Sequence, residues 1–533
     1  MKKQGNSGLL NVLLMGVMAF LIFKFFFSSK PVDNKSLEGR VDLSGQVFQA
    51  PVSQLETRPL NKEIDFIDQK IPTTDHEVFV ETLLCEYTFS PNGAVLSGLD
   101  FKSHRGKDGT PLRTVYKREF EEREQGCFLL AFDEKTPYVY KLVDTKHEDG
   151  KHFVTFEAEA LGWVIRKTYQ MNDKDYRLKL SCSFKPKTPS AGTIRPRLFV
   201  AGPFSGSVVG DKINGVINSL DKEGINKVTA TQENDYGWKL PAIFGAEDKY
   251  FLHALYSVSN EEFIERAYCK RLSNRGLFSI FESKELTEGT SVEMSFYCGP
   301  KVVADLGAVD VRLQNVLDFG WFSKLCKWLL LVLEYLFAQL GSYGWAIMLL
   351  AFLIKLAFLP ISLLARRKAA VVQRFETQNA GAIQSINIRY KGDFVKRGEA
   401  ISKFYSENGI SQFAKMASMV PLFLQVPFLI ALYRGLSSYI ALYQAEFLWL
   451  ADLSSKDPYY ILPALLGVLT LMQQKTTPVA DQRAKWMAYI PSVLIVAFMA
   501  SFPAGAVLYW SMNTFLMVAE EQLMRRIFGF GRA

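Results

Sequence analysis

Long apolar runs between residues 345 and 517 constrain this chain more than any other feature of its sequence. Five runs of 13–20 residues lie there, at 345–364, 419–436, 459–472, 486–502 and 505–517. A bilayer core is about 30 Å thick, and lipid admits only helices and closed barrels as spanning structures. Runs of this length therefore predict a polytopic α-helical membrane protein. Several of them are short, so we expect the bilayer to thin around them.

A further apolar run, residues 9–27, follows Lys2 and Lys3. Its 19 residues would measure about 28 Å as a helix, enough to span a bilayer core. The alternative is a cleaved signal peptide, but FFFSSKP is a poor cleavage site. We therefore predict a transmembrane anchor over residues 1–30, followed by a polar linker over 31–75.

Residues 76–319 have a different pattern, in which apolar and polar side chains alternate. Examples are VFVETLLCEYTFS (78–90), HFVTFEAEA (152–160), YRLKLSCSF (176–184) and SVEMSFYC (291–298). Alternation of period two, bounded by Gly, Pro, Asn and Asp, indicates antiparallel strands with one solvated face. This region is predicted to be a large all-β sandwich, closed by a helical segment over 303–319.

Charge between the apolar runs predicts the topology. The 366–416 loop has ten basic and four acidic residues, and is expected to form a cytoplasmic pair of helices. Residues 438–458 are net acidic, whereas 474–485 are net basic. Basic loops remain cytoplasmic. This predicts six spans with both termini cytoplasmic and the β domain in a periplasm.

Residues 320–341 contain Glu334 and are predicted to form an interfacial amphipathic helix. A five-span core is predicted to follow at 342–525, with a cytoplasmic tail at 526–533.

Lys355 lies near the middle of the 345–364 run, where an ionisable side chain is costly and usually faces a bundle interior or water. The alternative is that it snorkels to an interface. Other runs supply uncharged polar side chains, which together suggest a wet cavity: Gln425, Thr470, Gln473, Ser492, Ser511 and Asn513. The sequence indicates no intramembrane carboxylate opposite Lys355, which argues against an ion-coupled pump.

Three stretches closely resemble the YidC/Oxa/Alb family of membrane protein insertases. They are LWLADLSSKDPYYILPALLGVLTLMQQKTTP (448–478), MASMVPLFLQVPFLIALYRGL (416–436) and FMASFPAGAVLYWSMN (498–513). FYCGPK (296–301) before LDFGW (317–321) resembles the junction that follows the family's periplasmic domain. The resemblance extends over the whole chain, in the Gram-negative layout with a large periplasmic domain.

This resemblance implies insertion and folding of nascent membrane proteins into the bacterial inner membrane, alone or with the Sec translocon. It implies a positively charged hydrophilic groove open to the cytoplasm and to lipid. The groove cation is usually an Arg five residues before a Pro, and here Lys355 stands five before Pro360. The substrate-contacting aromatic position matches Tyr509 and Trp510. It further implies contact of the ribosome with the cytoplasmic loops and tail.

Other functions stay open at this point. A transporter or channel would use the same polar cavity, but neither inverted repeats nor an acidic relay is evident. A membrane-anchored enzyme would act through the β domain, where no catalytic constellation is visible. We expect no enzyme activity, cofactor or metal: there is no P-loop, the six cysteines lack CxxC spacing, and the five histidines precede residue 260.

Overall fold

A computed structural model of the chain describes twelve segments: residues 64–67, 77–106, 109–115, 126–189, 191–204, 214–218, 225–228, 236–238, 242–271, 277–410, 420–475 and 496–528. The chain divides into two compact units. We call residues 34–323 with 437–445 the β unit, and residues 1–33, 324–436 and 446–533 the helical unit. The predicted anchor (1–30) and the residues beyond 528 lie outside the described segments.

The β unit contains the strands of the fold. They are β1 (Val78–Glu81), β2 (Cys85–Ser90), β3 (Val95–Arg105), β4 (Pro111–Val115), β5 (Leu129–Ala131), β6 (Lys141–Glu148), β7 (Lys151–Ala160), β8 (Trp163–Asn172), β9 (Arg177–Pro186), β10 (Arg197–Ala201), β11 (Asn214–Asn218), β12 (Ile225–Val228), β13 (Tyr236–Trp238), β14 (Ile243–Glu247), β15 (Phe251–Val258), β16 (Ile264–Arg271), β17 (Leu277–Ser283) and β18 (Thr290–Pro300). They form a nine-stranded sheet in the order β12-β11-β14-β15-β18-β9-β8-β7-β6, a five-stranded sheet in the order β13-β16-β17-β10-β5 and a four-stranded sheet β1-β2-β3-β4.

Aromatic side chains join these sheets into a sandwich. Phe89 of β2 contacts Tyr169 of β8, with ring centroids 4.7 Å apart, so the four-stranded sheet packs on the nine-stranded one. Phe281 of β17 contacts Phe296 of β18 at 6.0 Å, which joins the five-stranded sheet to the same face. Strand β8 alternates buried and more exposed residues along its length, as a sheet with one packed face requires. The predicted all-β domain is confirmed.

Several details of the β unit go beyond the sequence predictions. Residues 303–319 are a short helix, Val303–Val309, followed by a 3₁₀ helix, Val311–Val316. All six cysteines are buried and unpaired. Phe66, within the predicted linker, stacks edge-on against Tyr138 at 5.4 Å, so this part of the linker packs on the sandwich.

Lys167 of β8 is fully buried in the sandwich. Its ammonium donates to the carbonyl oxygens of Gly93 (3.2 Å), Ala94 (2.5 Å) and Phe128 (2.7 Å). These carbonyls precede β3 and β5, which belong to different sheets, and all three residues have positive φ. The lysine therefore satisfies the hydrogen-bonding capacity of buried backbone carbonyls where the two smaller sheets meet the large one.

Seven helices of the helical unit have both ends in the described segments, and residues 496–499 are helical as well. The seven helices are Ser323–Leu340, Tyr343–Gln378, Ala380–Arg389, Phe394–Glu407, Val420–Ser437, Ile461–Lys475 and Ala504–Phe528. One face of helix 323–340 is buried, and Cys326 Sγ lies 3.1 Å from the carbonyl oxygen of Ala431 on helix 420–437. Gly435 permits this approach, because a Cβ there would lie 2.8 Å from the Cys326 sulfur.

Helix 343–378 extends beyond the predicted span and supplies the first arm of the 366–416 loop. The turn at 390–393 joins helices 380–389 and 394–407, and Tyr405 donates a hydrogen bond of 2.5 Å to Glu376. In the described part of the loop, helices 380–389 and 394–407 follow the end of the long helix, and Phe375 contacts Phe404 and Tyr405 of the second one.

Apolar side chains of helix 343–378 are exposed to the surroundings, as lipid contact requires. Examples are Phe352, Leu356 and Leu364, which are 43%, 51% and 56% exposed. Among the described residues this helix alone is long and apolar enough to cross a bilayer, and Ile461–Gln473 is a shorter apolar helix. The other predicted spans stay predictions.

We expect the Lys167→Met substitution to change how stability depends on pH. Burial lowers the pKa of Lys167 from its ordinary 10.5 to about 7. Between those two pH values Lys167 binds more protons in the unfolded chain than in the folded protein. The wild-type free energy of unfolding therefore rises with pH. Relative to the Met variant, the wild type should gain about 1–2 kcal/mol from pH 7 to 8.5 in urea unfolding.

The matched control is Lys185→Met, which removes an exposed lysine from the neighbouring strand β9. Its stability should follow the wild-type pH profile. Parallel profiles for the wild type and Lys167→Met would contradict the prediction.

Candidate functional site

Two charged side chains meet inside the helical unit. Lys355 Nζ lies 2.7 Å from Glu520 Oε2, and these side chains are only 14% and 5% exposed. The other oxygen of Glu520 accepts a 2.5 Å hydrogen bond from the buried hydroxyl of Ser362. The carboxylate of helix 504–528 is therefore held by two side chains of helix 343–378.

The helical repeat explains this arrangement. Lys355 and Ser362 are seven residues apart, so they lie on nearly the same face, about two turns apart along the helix. A single carboxylate placed opposite that face can reach both. Burying opposite charges is tolerated when the two groups are close and the remaining polar atoms are hydrogen bonded. Here the ammonium lies 2.7 Å from one carboxylate oxygen and Ser362 donates to the other.

This geometry corrects one sequence-based expectation. We expected no carboxylate opposite Lys355, because the last apolar run was taken to end at residue 517. The last helix instead continues from Ala504 to Phe528 and brings Glu520 to the lysine. The missing counter-charge can therefore no longer be used against ion coupling. A seven-residue spacing from Asn513 to Glu520 was the available signal, since it predicts two polar groups on one face.

The polar and aromatic candidates of helix 504–528 do not share one face. Tyr509 and Asn513 are 1% and 6% exposed and fall on the Glu520 side of the helix. Ser511 is nine residues from Glu520, or about 180° around the helix, and faces away from it. Its buried hydroxyl has no hydrogen-bond partner within the described segments. Trp510 is only partly buried, so its ring is accessible.

The remaining polar candidates lie on other helices. Gln425 and Gln473 are partly buried on helices 420–437 and 461–475. Thr470 donates a 2.6 Å hydrogen bond to the carbonyl oxygen of Leu466, one turn earlier, which satisfies its hydroxyl within its own helix. Ser492 lies outside the described segments.

An apolar depression adjoins the two aromatic candidates. It is lined by Leu429, Leu432, Tyr433, Met499, Phe502, Ala506, Tyr509 and Trp510. The ring centroids of Tyr433 and Phe502 lie 4.6 Å apart and close one side of it. Within the described residues the site thus combines a buried ion pair with a small apolar depression.

Known proteins match both units of the chain. The family profile described as 60Kd inner membrane protein matches residues 335–529, and the profile described as YidC periplasmic domain matches residues 77–332. A membrane protein insertase YidC of Nitrosococcus oceani is 30% identical over 390 residues, covering 70% of this chain and 69% of that protein. This chain belongs to the YidC family of membrane protein insertases.

Another YidC, from Geotalea daltonii, is 25% identical over 555 residues and covers 96% of this chain and 98% of its own length. A crystal structure of an active YidC insertase with its first transmembrane domain resolved has a TM-score of 0.37 at 17% identity, over 86% of this chain and 94% of that one. Lys355 and Glu520 both fall in the region matched as inner membrane protein. The β unit carries the region matched as the YidC periplasmic domain.

We expect the Glu520→Leu substitution to destabilise the helical unit by about 3–5 kcal/mol, because it leaves the buried ammonium of Lys355 without its partner. Combining it with Lys355→Met should recover most of that loss, since two apolar side chains can pack where the pair was. Thermal unfolding of the purified protein in detergent would measure both effects.

The control is Glu399→Gln, which changes an exposed carboxylate of helix 394–407 and should shift stability by less than about 0.5 kcal/mol. A double variant as unstable as Glu520→Leu alone would refute the coupling.

Proposed function

We propose that this insertase receives the polar end of its substrate at Lys355, in a hydrophilic groove open to the cytoplasm and to lipid. The observation that supports this is the nearly buried Lys355–Glu520 pair between two helices. A polar extracytoplasmic tail faces a large free-energy barrier in hydrocarbon, and a polar groove extending part of the way through the bilayer shortens that path.

The ion pair suggests an exchange rather than simple attraction. At rest, Glu520 neutralises Lys355 and is itself held by Ser362. An acidic residue of the substrate tail would replace Glu520 on the ammonium, so that Lys355 is not left without a partner during the exchange. The ammonium then has one carboxylate partner before and after the exchange. The displaced Glu520 would be solvated or protonated by water in the groove, because an unpaired buried carboxylate is costly.

The apolar depression beside Trp510 is the proposed contact for the substrate's hydrophobic segment. Its lining is aliphatic and aromatic, and such surfaces bind a helix without reading its sequence. The segment would leave the groove sideways into lipid past exposed side chains such as Leu356. No nucleotide is required, because transfer of the apolar segment into lipid is itself favourable.

The remaining parts of the proposal concern topology and partners. Six spans with cytoplasmic termini put the β unit in the periplasm and the 380–407 helices in the cytoplasm. The basic 366–416 loop and the C-terminal tail would contact the ribosome, whose RNA is anionic. Insertion alone or together with the Sec translocon completes the proposal.

Lys355→Glu should reduce insertion of substrates with acidic tails at least tenfold, because two carboxylates then face the tail. Lys355→Arg should retain activity, since the positive charge is kept. The measurement is protease protection of the tail in cells depleted of their own insertase and carrying each variant.

The charge-swapped variant Lys355→Glu/Glu520→Lys serves as the matched comparison. It keeps both a cation and a neutral pair, so it should insert acidic-tailed substrates better than Lys355→Glu alone. Equal insertion by the wild type and Lys355→Glu would rule out the proposed role of the lysine.

A photo-crosslinking amino acid at position 510 should capture a stalled substrate helix, because the Trp510 side chain is accessible. The same probe at position 509 should capture at least fivefold less, because the Tyr509 side chain is only 1% exposed. Equal capture at the two positions would contradict substrate contact through Trp510.

A further inference from the structure

Two histidines and an aspartate meet beside the β6–β7 hairpin of the β unit. His147 on β6 and His152 on β7 are direct cross-strand partners, and their rings stack with centroids 4.0 Å apart. The carboxylate of Asp173 lies 2.9 Å from His152 Nε2 and 3.5 Å from His147 Nε2. The ligand atoms of all three residues lie within 4.8 Å of one another. In the part of the chain that the structure describes, this is the one group of three such residues.

The backbone fixes the positions of all three residues. A two-residue turn at Asp149 and Gly150, with φ of 50° and 67°, closes the hairpin and puts the two histidines opposite each other. Asp173 directly follows β8, and its backbone N–H donates a 3.0 Å hydrogen bond to the carbonyl oxygen of Gly150. The three side chains therefore project from strand ends and a tight turn, so little entropy is lost when they bind a common ligand.

We propose that His147, His152 and Asp173 bind one divalent transition-metal ion of the zinc class. Two imidazole nitrogens and one carboxylate oxygen are ligands that zinc accepts, and three protein ligands leave a fourth position for water. That position faces solvent, because the His147 side chain is 58% exposed. Zinc–nitrogen bonds of about 2.0–2.1 Å require the nitrogens to converge, which rotation of the exposed His147 ring achieves.

The local charge favours a cation at this place. The hairpin residues 144–152, together with Asp173, carry four carboxylates and two lysines. Lys146 lies 2.9 Å from Asp144 rather than beside the cluster carboxylate. A bound ion would join β6, at the edge of the nine-stranded sheet, to the end of β8.

The test is calorimetric titration of the full-length protein in detergent, stripped with EDTA and free of any histidine tag, with zinc chloride. We expect one saturable ion per chain and a higher unfolding temperature of the β unit with zinc. His147→Gln and His152→Gln should each weaken zinc binding more than about tenfold and abolish the temperature shift. Nickel chloride should bind at the same site, since imidazole also suits nickel.

Two variants serve as controls. His104→Gln removes a histidine elsewhere in the β unit, and Glu148→Gln removes a carboxylate next to His147 without removing a ligand. Both should bind zinc within about twofold of the wild type. The proposal fails if the wild type shows no stoichiometric binding, or if both histidine variants bind as tightly as the controls. Asp173→Asn is an independent test. It should weaken zinc binding, since it replaces the carboxylate ligand with a neutral amide that zinc binds poorly.

Discussion

The contact between Lys355 and Glu520 is the interaction around which the helical unit is arranged. Neither charge could be buried alone, because an unpaired ion in a low-dielectric interior costs several kcal/mol. The pair therefore fixes which faces of helices 343–378 and 504–528 meet. The hydrogen bond from Ser362 fixes how far one helix is shifted along the axis of the other. The pair is neutral at rest. In the groove proposed above, the charge of Lys355 becomes available only as Glu520 moves away or is replaced.

Lys167 and Lys355 both have little contact with solvent, but they are stabilised in different ways. Lys167 is surrounded by three backbone carbonyls and has no carboxylate among its hydrogen-bond acceptors, which suits a structural role between sheets. Lys355 is neutralised by a side chain, and a side chain can rotate away while a strand backbone cannot. The difference matters for function, because only the second kind of partner can be exchanged for a substrate group without unfolding the protein.

Sequence reasoning succeeded where a local pattern sets the structure. Strands such as β7 and β9 were predicted within one or two residues because alternation of burial is visible in the chain itself. It failed for Glu520, because hydropathy ends a span where polarity rises, although the helix continues. From the sequence, Ser511 and Asn513 were equally good candidates for the polar site. Only their positions around helix 504–528 show that Asn513 lies on the Glu520 side and Ser511 on the opposite side. The residues 147, 152 and 173 are brought together by strand pairing, which spacing along the chain does not reveal.

Helix 343–378 is continuous from the Lys355–Glu520 pair to the helices of the 366–416 loop. Lys355 and Glu376 are separated by 21 residues of the same helix, about 32 Å along its axis. Glu376 holds Tyr405, so the direction in which the loop helices leave this helix is set by the same helical phase that aims Lys355 at Glu520. One added or deleted residue in this segment would therefore turn the loop helices by about 100° relative to the Lys355–Glu520 pair. A substitution that spares Ser362 and the buried positions keeps this geometry, whereas an insertion or deletion does not.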